Sequence, residues 1–149
     1  MIGARDLLDS RPKWKATFAE EFFDSGTVTE TGQTTIVATP NVTSGDEAVF
    51  PFLLQVVGTG LTADETASVS IDWYTSSAAT DIIAGATAFT QLTASVPTAS
   101  EGWPGDLTTF NAGKDMIPLP PFHRVRWTLA GGTISLDFII KISYLKLSF

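Results

Sequence analysis

Residues 133–149 read TISLDFIIKISYLKLSF, and residues 66–75 read TASVSIDWYT. In the first stretch Leu136, Phe138, Ile140, Ile142 and Tyr144 alternate with Asp137, Lys141 and Ser143. In the second, Val69, Ile71 and Trp73 alternate with Ser68, Ser70, Asp72 and Tyr74. Successive side chains of a strand point to opposite faces, so each stretch reads as a strand with one face in a core. Val125, Trp127 and Leu129, set against Arg124, Arg126 and Thr128, repeat the pattern. After Tyr144 the apolar residues move to Leu145, Leu147 and Phe149. A one-residue slip reverses the faces, which points to a bulge near Tyr144 or to a strand end buried against a partner.

Outward from these strands, further ones are expected at about 16–24, 33–39, 48–57 and 81–92, with 122–130 and 133–148 closing the chain. Glu30-Thr31-Gly32, Ser44-Gly45-Asp46 and Gly58-Thr59-Gly60 mark turns between them. No window carries a helical period of useful length; Thr62–Glu65 has capping-box spacing and is expected to make one turn. Short strands at this spacing predict an all-β, antiparallel β-sandwich with an extended N-terminal arm over 1–15 and the domain over 16–149. In 48–57, one face holds Ala48, Phe50, Phe52, Leu54 and Val56, and the other holds Val49, Leu53 and Val57. A strand apolar on both faces is central or is covered by another subunit. The stretch from Pro97 to Pro121 is a long connection, either functional or an ordered cover pinned by Trp103 and Phe110.

The 149 residues carry a net charge of −7 and no cysteine, which excludes disulfides and thiolate metal sites and argues against a nucleic-acid partner. Residues 1–15 lack the apolar core of a signal peptide, and no run approaches the ~18 apolar residues of a membrane span. Without a secretory signal, the sequon Asn41-Val42-Thr43 has little weight. Charge is unevenly placed. Arg5, Arg11, Lys13 and Lys15 open the chain, and the next base is Lys114. Between them residues 16–113 hold 12 acids. Either this is a solvated acidic surface, or the basic arm docks on an acidic surface of a neighbouring copy or partner.

Catalytic groups are sparse. His123 is the one histidine, read as a strand-edge or interface residue, and no Gly-x-Ser-x-Gly elbow accompanies it. The pairs Glu20-Glu21, Asp46-Glu47 and Asp64-Glu65 are sequence neighbours, so on a strand they do not face one another as a glycosidase dyad. There is no EF-hand loop, P-loop or dinucleotide fingerprint. No enzymatic activity and no cofactor or metal are expected. Tyr74 and Trp103 are the candidate stacking platform for a carbohydrate-binding module, the rival reading.

Val69-Ser-Ile-Asp-Trp-Tyr-Thr-Ser-Ser, Phe89-Thr-Gln-Leu and Leu119-Pro-Pro-Phe-His-Arg-Val-Arg-Trp-Thr-Leu-Ala-Gly-Gly-Thr together resemble small virion proteins of tailed bacteriophages, over roughly residues 66–140. The resemblance implies a sandwich or jelly-roll-like subunit of the virion, assembled in the host cytoplasm. Its expected place is the capsid exterior, as a decoration (cement) protein on the major capsid protein, or else the head-to-tail or tail apparatus. It further implies a homo-oligomer, with a trimer preferred. The contact residues expected on the arm are Arg5, Leu7, Leu8, Arg11, Lys13, Trp14 and Lys15. On the domain they are Val49, Leu53 and Val57 and the strand end Leu145, Leu147 and Phe149.

Overall fold

The computed structural model describes residues 13–40, 47–105, 107 and 117–148, with the side chain of Glu47 excepted. The strands are β1 (Lys13–Val28), β2 (Gly32–Gln33), β3 (Val37–Ala38), β4 (Glu47–Thr59) and β5 (Thr66–Tyr74). They continue with β6 (Thr87–Ala88), β7 (Leu92–Thr93), β8 (Thr98–Gly102), β9 (Phe122–Ala130) and β10 (Leu136–Ser148). Every pairing is antiparallel. Sheet A has the order β1-β10-β4-β8, and sheet B has β2-β9-β5-β6, with β3 on β9 and β7 on β5. The two sheets pack face to face as a β-sandwich, the expected class.

The core forms where the inward rows meet. Sheet A supplies Leu54, Val56, Leu136, Phe138, Ile140 and Ile142, and sheet B supplies Ala67, Val69, Ile71, Trp73 and Val125. The polar ends of buried side chains are satisfied: the Trp73 Nε1–H donates to Thr87 Oγ1 at 2.9 Å. On the outer face of sheet B, Asp72 accepts from Arg126 Nε at 2.7 Å and from Arg124 Nη2 at 3.0 Å. Cross-strand opposite charges of this kind hold β5 and β9 in register.

The strand over 81–92 is not formed. A 3-10 turn (Ala79–Asp81) and the two-residue strands β6 and β7 replace it. The Ile82-Ile83 pair supplies one bridge to Tyr74, and the Gly85 φ of 88° then turns the chain away. The span 33–39 likewise yields only β2 and β3. The connection after Pro97 begins with a strand unseen in the sequence, β8, which adds to β4. Thr62–Glu65 forms a turn in which the Glu65 carboxylate accepts from the Thr62 N–H at 3.1 Å. This is the reach-back half of a capping box, and no helix follows it.

Candidate interaction face

Register decides what sheet A shows to solvent. Ser143 pairs with Leu53 and Tyr144 with Pro51, so Phe52 is an extra residue in β4. On the other side Tyr144 pairs with Thr17 and Ile142 with Glu20, which leaves an excess residue in β1 around Phe18 and Ala19. The Ala19 φ is +51°, and its N–H donates to Ser143 Oγ at 2.9 Å. β10 thus runs straight between two bulged neighbours. The irregularity expected near Tyr144 is present, but the extra residues belong to β1 and β4.

The bulge in β4 reverses its faces. Val49, paired with Lys146, is 4% exposed and packs in the core. It is therefore not a surface contact, which corrects the sequence reading. Phe50 pairs with Leu145 and Ala48 with Leu147, so these point outward with Leu53, Gln55 and Val57. Leu53, Val57, Leu145 and Leu147, expected as contact residues, do lie on this outer face and are half-buried.

Lys13, Trp14 and Lys15, assigned to the arm on sequence, are the first residues of β1. Trp14 pairs with Leu147 and shares its face. Trp14 is 52% exposed, Phe18 72% and Phe52 40%. Trp14 meets Phe50 with ring centroids 5.8 Å apart, and Phe18 meets Phe52 edge-on at 5.8 Å. The bulges thus bring four aromatic rings, with Leu53, Leu145 and Leu147, to one end of one sheet face. Sequence reading did not find Phe18, Phe50 and Phe52 as surface residues, because simple alternation puts Phe50 and Phe52 inside. Arg5, Leu7, Leu8, Arg11 and Phe149 lie outside the described residues.

Elsewhere the structure closes candidates. His123 is 3% exposed, not at an edge, since β9 lies between β3 and β5. Its Nδ1 is 3.2 Å from Thr39 Oγ1, and its ring packs 4.8 Å from that of Phe22. Burial lowers its pKa from 6.5 to about 4, so the imidazole is neutral near pH 7. Tyr74 is 1% exposed and covered by the Arg124 guanidinium 5.7 Å above its ring. Trp103 lies edge-on to Trp73 at 5.0 Å and donates to the Ile117 carbonyl at 2.9 Å. These two rings form no stacking platform. A shallow recess on sheet B is lined by Thr31, Gly32, Gln33, Arg126, Trp127 and Thr128. Among the described residues no group of three or more His, Asp or Glu is placed to hold a metal ion.

Neither a family model nor a curated protein matches this chain. A chain of a viral structure, that of the infectious bursal disease virus Gx strain, aligns with a TM-score of 0.18 and 12% identity. The alignment covers 93% of this chain and 41% of that one, so the present chain spans under half the length of its match. Likeness at that level establishes neither fold nor kinship.

Proposed function

We propose that this chain is a non-enzymatic structural subunit of a virion, a decoration protein that binds the exterior of a capsid and strengthens it through subunit contacts. The observation that carries the reading is the aromatic end of sheet A. Trp14, Phe18, Phe50 and Phe52 occupy one outward face. Fully burying one such side chain is worth about 1.5–3 kcal/mol, so leaving them in water forgoes a large driving force. Exposed apolar surface of this kind marks an interaction site, and large aromatic rings are the common anchors of protein interfaces.

The edge of the sheet favours docking by the face. β1 is an edge strand of 16 residues, yet its ladder is interrupted at Thr17/Glu20, Glu21/Phe23 and Asp24/Thr27. Bulges twist an edge away from strand addition. A partner therefore meets the rings and not the backbone of β1. The phage-protein resemblance of residues 66–140 supplies the capsid as the partner. Many copies on a repeating lattice turn modest single contacts into strong attachment.

The test is co-sedimentation of the purified chain with capsids of its source virus. Wild type should bind saturably, and the Phe18→Ser/Phe52→Ser double variant should bind at least about tenfold more weakly, the loss expected for removing interface anchors. Failure of the wild type to bind the particles, or undiminished binding by the variant, defeats the proposal.

A further inference from the structure

The outer face of sheet B carries an excess of positive charge in a chain whose net charge is −7. Register places Ser68, Ser70 and Asp72 of β5 opposite Thr128, Arg126 and Arg124 of β9, and Gln33 of β2 lies on the other flank of Arg126. Asp72 is the one acid in these rows. Its side chain is 5% exposed and accepts four N–H bonds, from Nε and Nη2 of both arginines, between 2.7 and 3.3 Å. Four such bonds fill the acceptor sites of a carboxylate, so Asp72 has none left for a ligand's donors. Two cations therefore share one anion, and one positive charge is left over. Arg124 is 23% exposed and lies over the Tyr74 ring. Arg126 is 43% exposed, and its Nη1 is not among the atoms that Asp72 engages.

That arginine borders the recess beside β2, whose volume is about 290 Å³. This is the small end of the range for ligand pockets, with room for one ring and not for an extended chain. Its walls are held in place. The Trp127 Nε1–H donates to the Glu30 carbonyl at 2.8 Å, and the indole packs against Phe138. The backbone of Gly32 lies so close that a Cβ there would meet Trp127 Cζ2 at 3.1 Å. Thr31 Oγ1 accepts from the Leu129 N–H at 2.9 Å, which ties the strand lead-in to β9. The side chains of Gln33 and Thr128 are exposed at the rim. Among the described residues, Asp72 is the ion-pair partner of both arginines, and Glu30, the acid that precedes the recess in the chain, pairs with neither.

From this arrangement we infer that the recess binds a sugar ring that carries a carboxylate, a uronic or sialic acid at the end of a glycan. The uncompensated guanidinium of Arg126 pairs with the carboxylate, and its bonds to Asp72 fix it beforehand at no cost on binding. The Trp127 indole gives the ring's C–H groups an apolar wall. The Gln33 amide and the Thr128 hydroxyl both donate and accept, which suits sugar hydroxyls. A bare phosphate or acetate would use the guanidinium and leave the indole and the amide idle. The inference does not rest on the capsid reading, because it uses the outer face of sheet B and docking uses that of sheet A. The two faces lie on opposite sides of the sandwich, so a copy docked by its aromatic rings turns this recess away from the particle.

The experiment is an NMR titration of the full chain, following backbone amides, with four probes: methyl glucuronide, methyl N-acetylneuraminide, methyl glucoside and sodium acetate. At least one acidic sugar should give saturable shifts centred on Thr31, Gln33 and Arg126–Thr128. The neutral sugar and acetate should each bind at least about tenfold more weakly, since each lacks half of the recognised chemistry. Added salt should weaken the acidic sugar, because Arg126 is open to screening. Gln33→Glu sets a carboxylate beside Arg126 at an exposed position and should remove binding while the remaining amide spectrum stays that of the folded chain. Arg126→Gln should do the same; if it unfolds, Gln33→Glu carries the test alone. Absence of saturable shifts with both acidic sugars overturns the inference. So does acetate or methyl glucoside binding as tightly as the acidic sugar, or undiminished binding by folded Gln33→Glu.

Discussion

His123 shows how one residue ties stability to pH. Its ring is 3% exposed between Phe22 and Trp73, and desolvation lowers its pKa from 6.5 to about 4. The unfolded chain therefore binds a proton more readily than the folded one. The neutral ring places no acid-dependent burden on the fold above pH 6.5. As pH falls from 6.5 towards 4 the unfolded state gains a proton that the folded state refuses, and stability drops. The full difference is about 3 kcal/mol. Urea unfolding at pH 7 and pH 4.5 should show this loss in wild type. In His123→Gln, which does not titrate, the drop between the two pH values should be smaller, even though the variant starts about 1–2 kcal/mol lower for its altered packing and hydrogen bond. An equal drop in both proteins would assign the acid sensitivity to carboxylates alone. The sequence shows a lone histidine on an alternating strand, but whether His123 is edge or core depends on β3, a two-residue strand with no sequence signature of its own.

At the scale of elements, legibility followed regularity. β5 and β9 alternate without interruption, as does β10 as far as Tyr144, and over those lengths the inward rows could be read from side-chain period alone. β4 could be located but its faces could not be assigned, because one bulged residue, Phe52, inverts everything before it. That inversion moved Val49 into the core and Phe50 onto the surface, so the aromatic face was hidden from sequence reading by a local backbone feature. β1 has three such interruptions, which blur its period. β8 has the sequence Thr-Ala-Ser-Glu-Gly, with no apolar alternation to announce it, and exists because the β4 edge offers it partners. The turns are more exacting than the strands they join. Gly131, between β9 and β10, has a φ of 107°, and a Cβ there would sit 2.0 Å from the Asp64 carbonyl oxygen. Both the backbone conformation and the space require glycine. Gly131→Ala should therefore destabilise the fold by well over the ~1 kcal/mol of an ordinary glycine substitution, read as a lower urea midpoint. Gly132→Ala next to it has a φ of 130° but meets nothing within 4 Å, so it should lose less. Equal losses would show that only the conformation, and not the close approach of the β4–β5 turn, restricts this corner.

For the whole molecule, the aromatic residues fall into two sets, one that fills the core and one on the face proposed for docking. Phe138 is fully buried at the centre of the sandwich, where its ring meets Phe23 at 5.7 Å and Trp127 at 5.8 Å. Phe18 and Phe52 sit on the far side of the same sheet, 72% and 40% exposed, and meet edge-on. If the outward rings served the fold of the single chain, removing them would cost stability as core truncation does. The packing argues otherwise. Phe138→Ala deletes a ring enclosed on all sides and should lower stability by about 3–5 kcal/mol. Phe18→Ser/Phe52→Ser removes rings that already contact water, and one edge-on pair contributes about 0.5–1.5 kcal/mol beyond area burial. The double variant should lose no more than that and should be more soluble. Urea titrations of both variants measure the contrast directly. A loss for the surface variant comparable to that of Phe138→Ala would make the aromatic face a second core of the isolated chain, and weaker capsid binding by that variant would then report on unfolding. A small loss means that residues kept on the surface at no benefit to folding are free to serve contact with other subunits, and a binding defect in the same variant belongs to the interface.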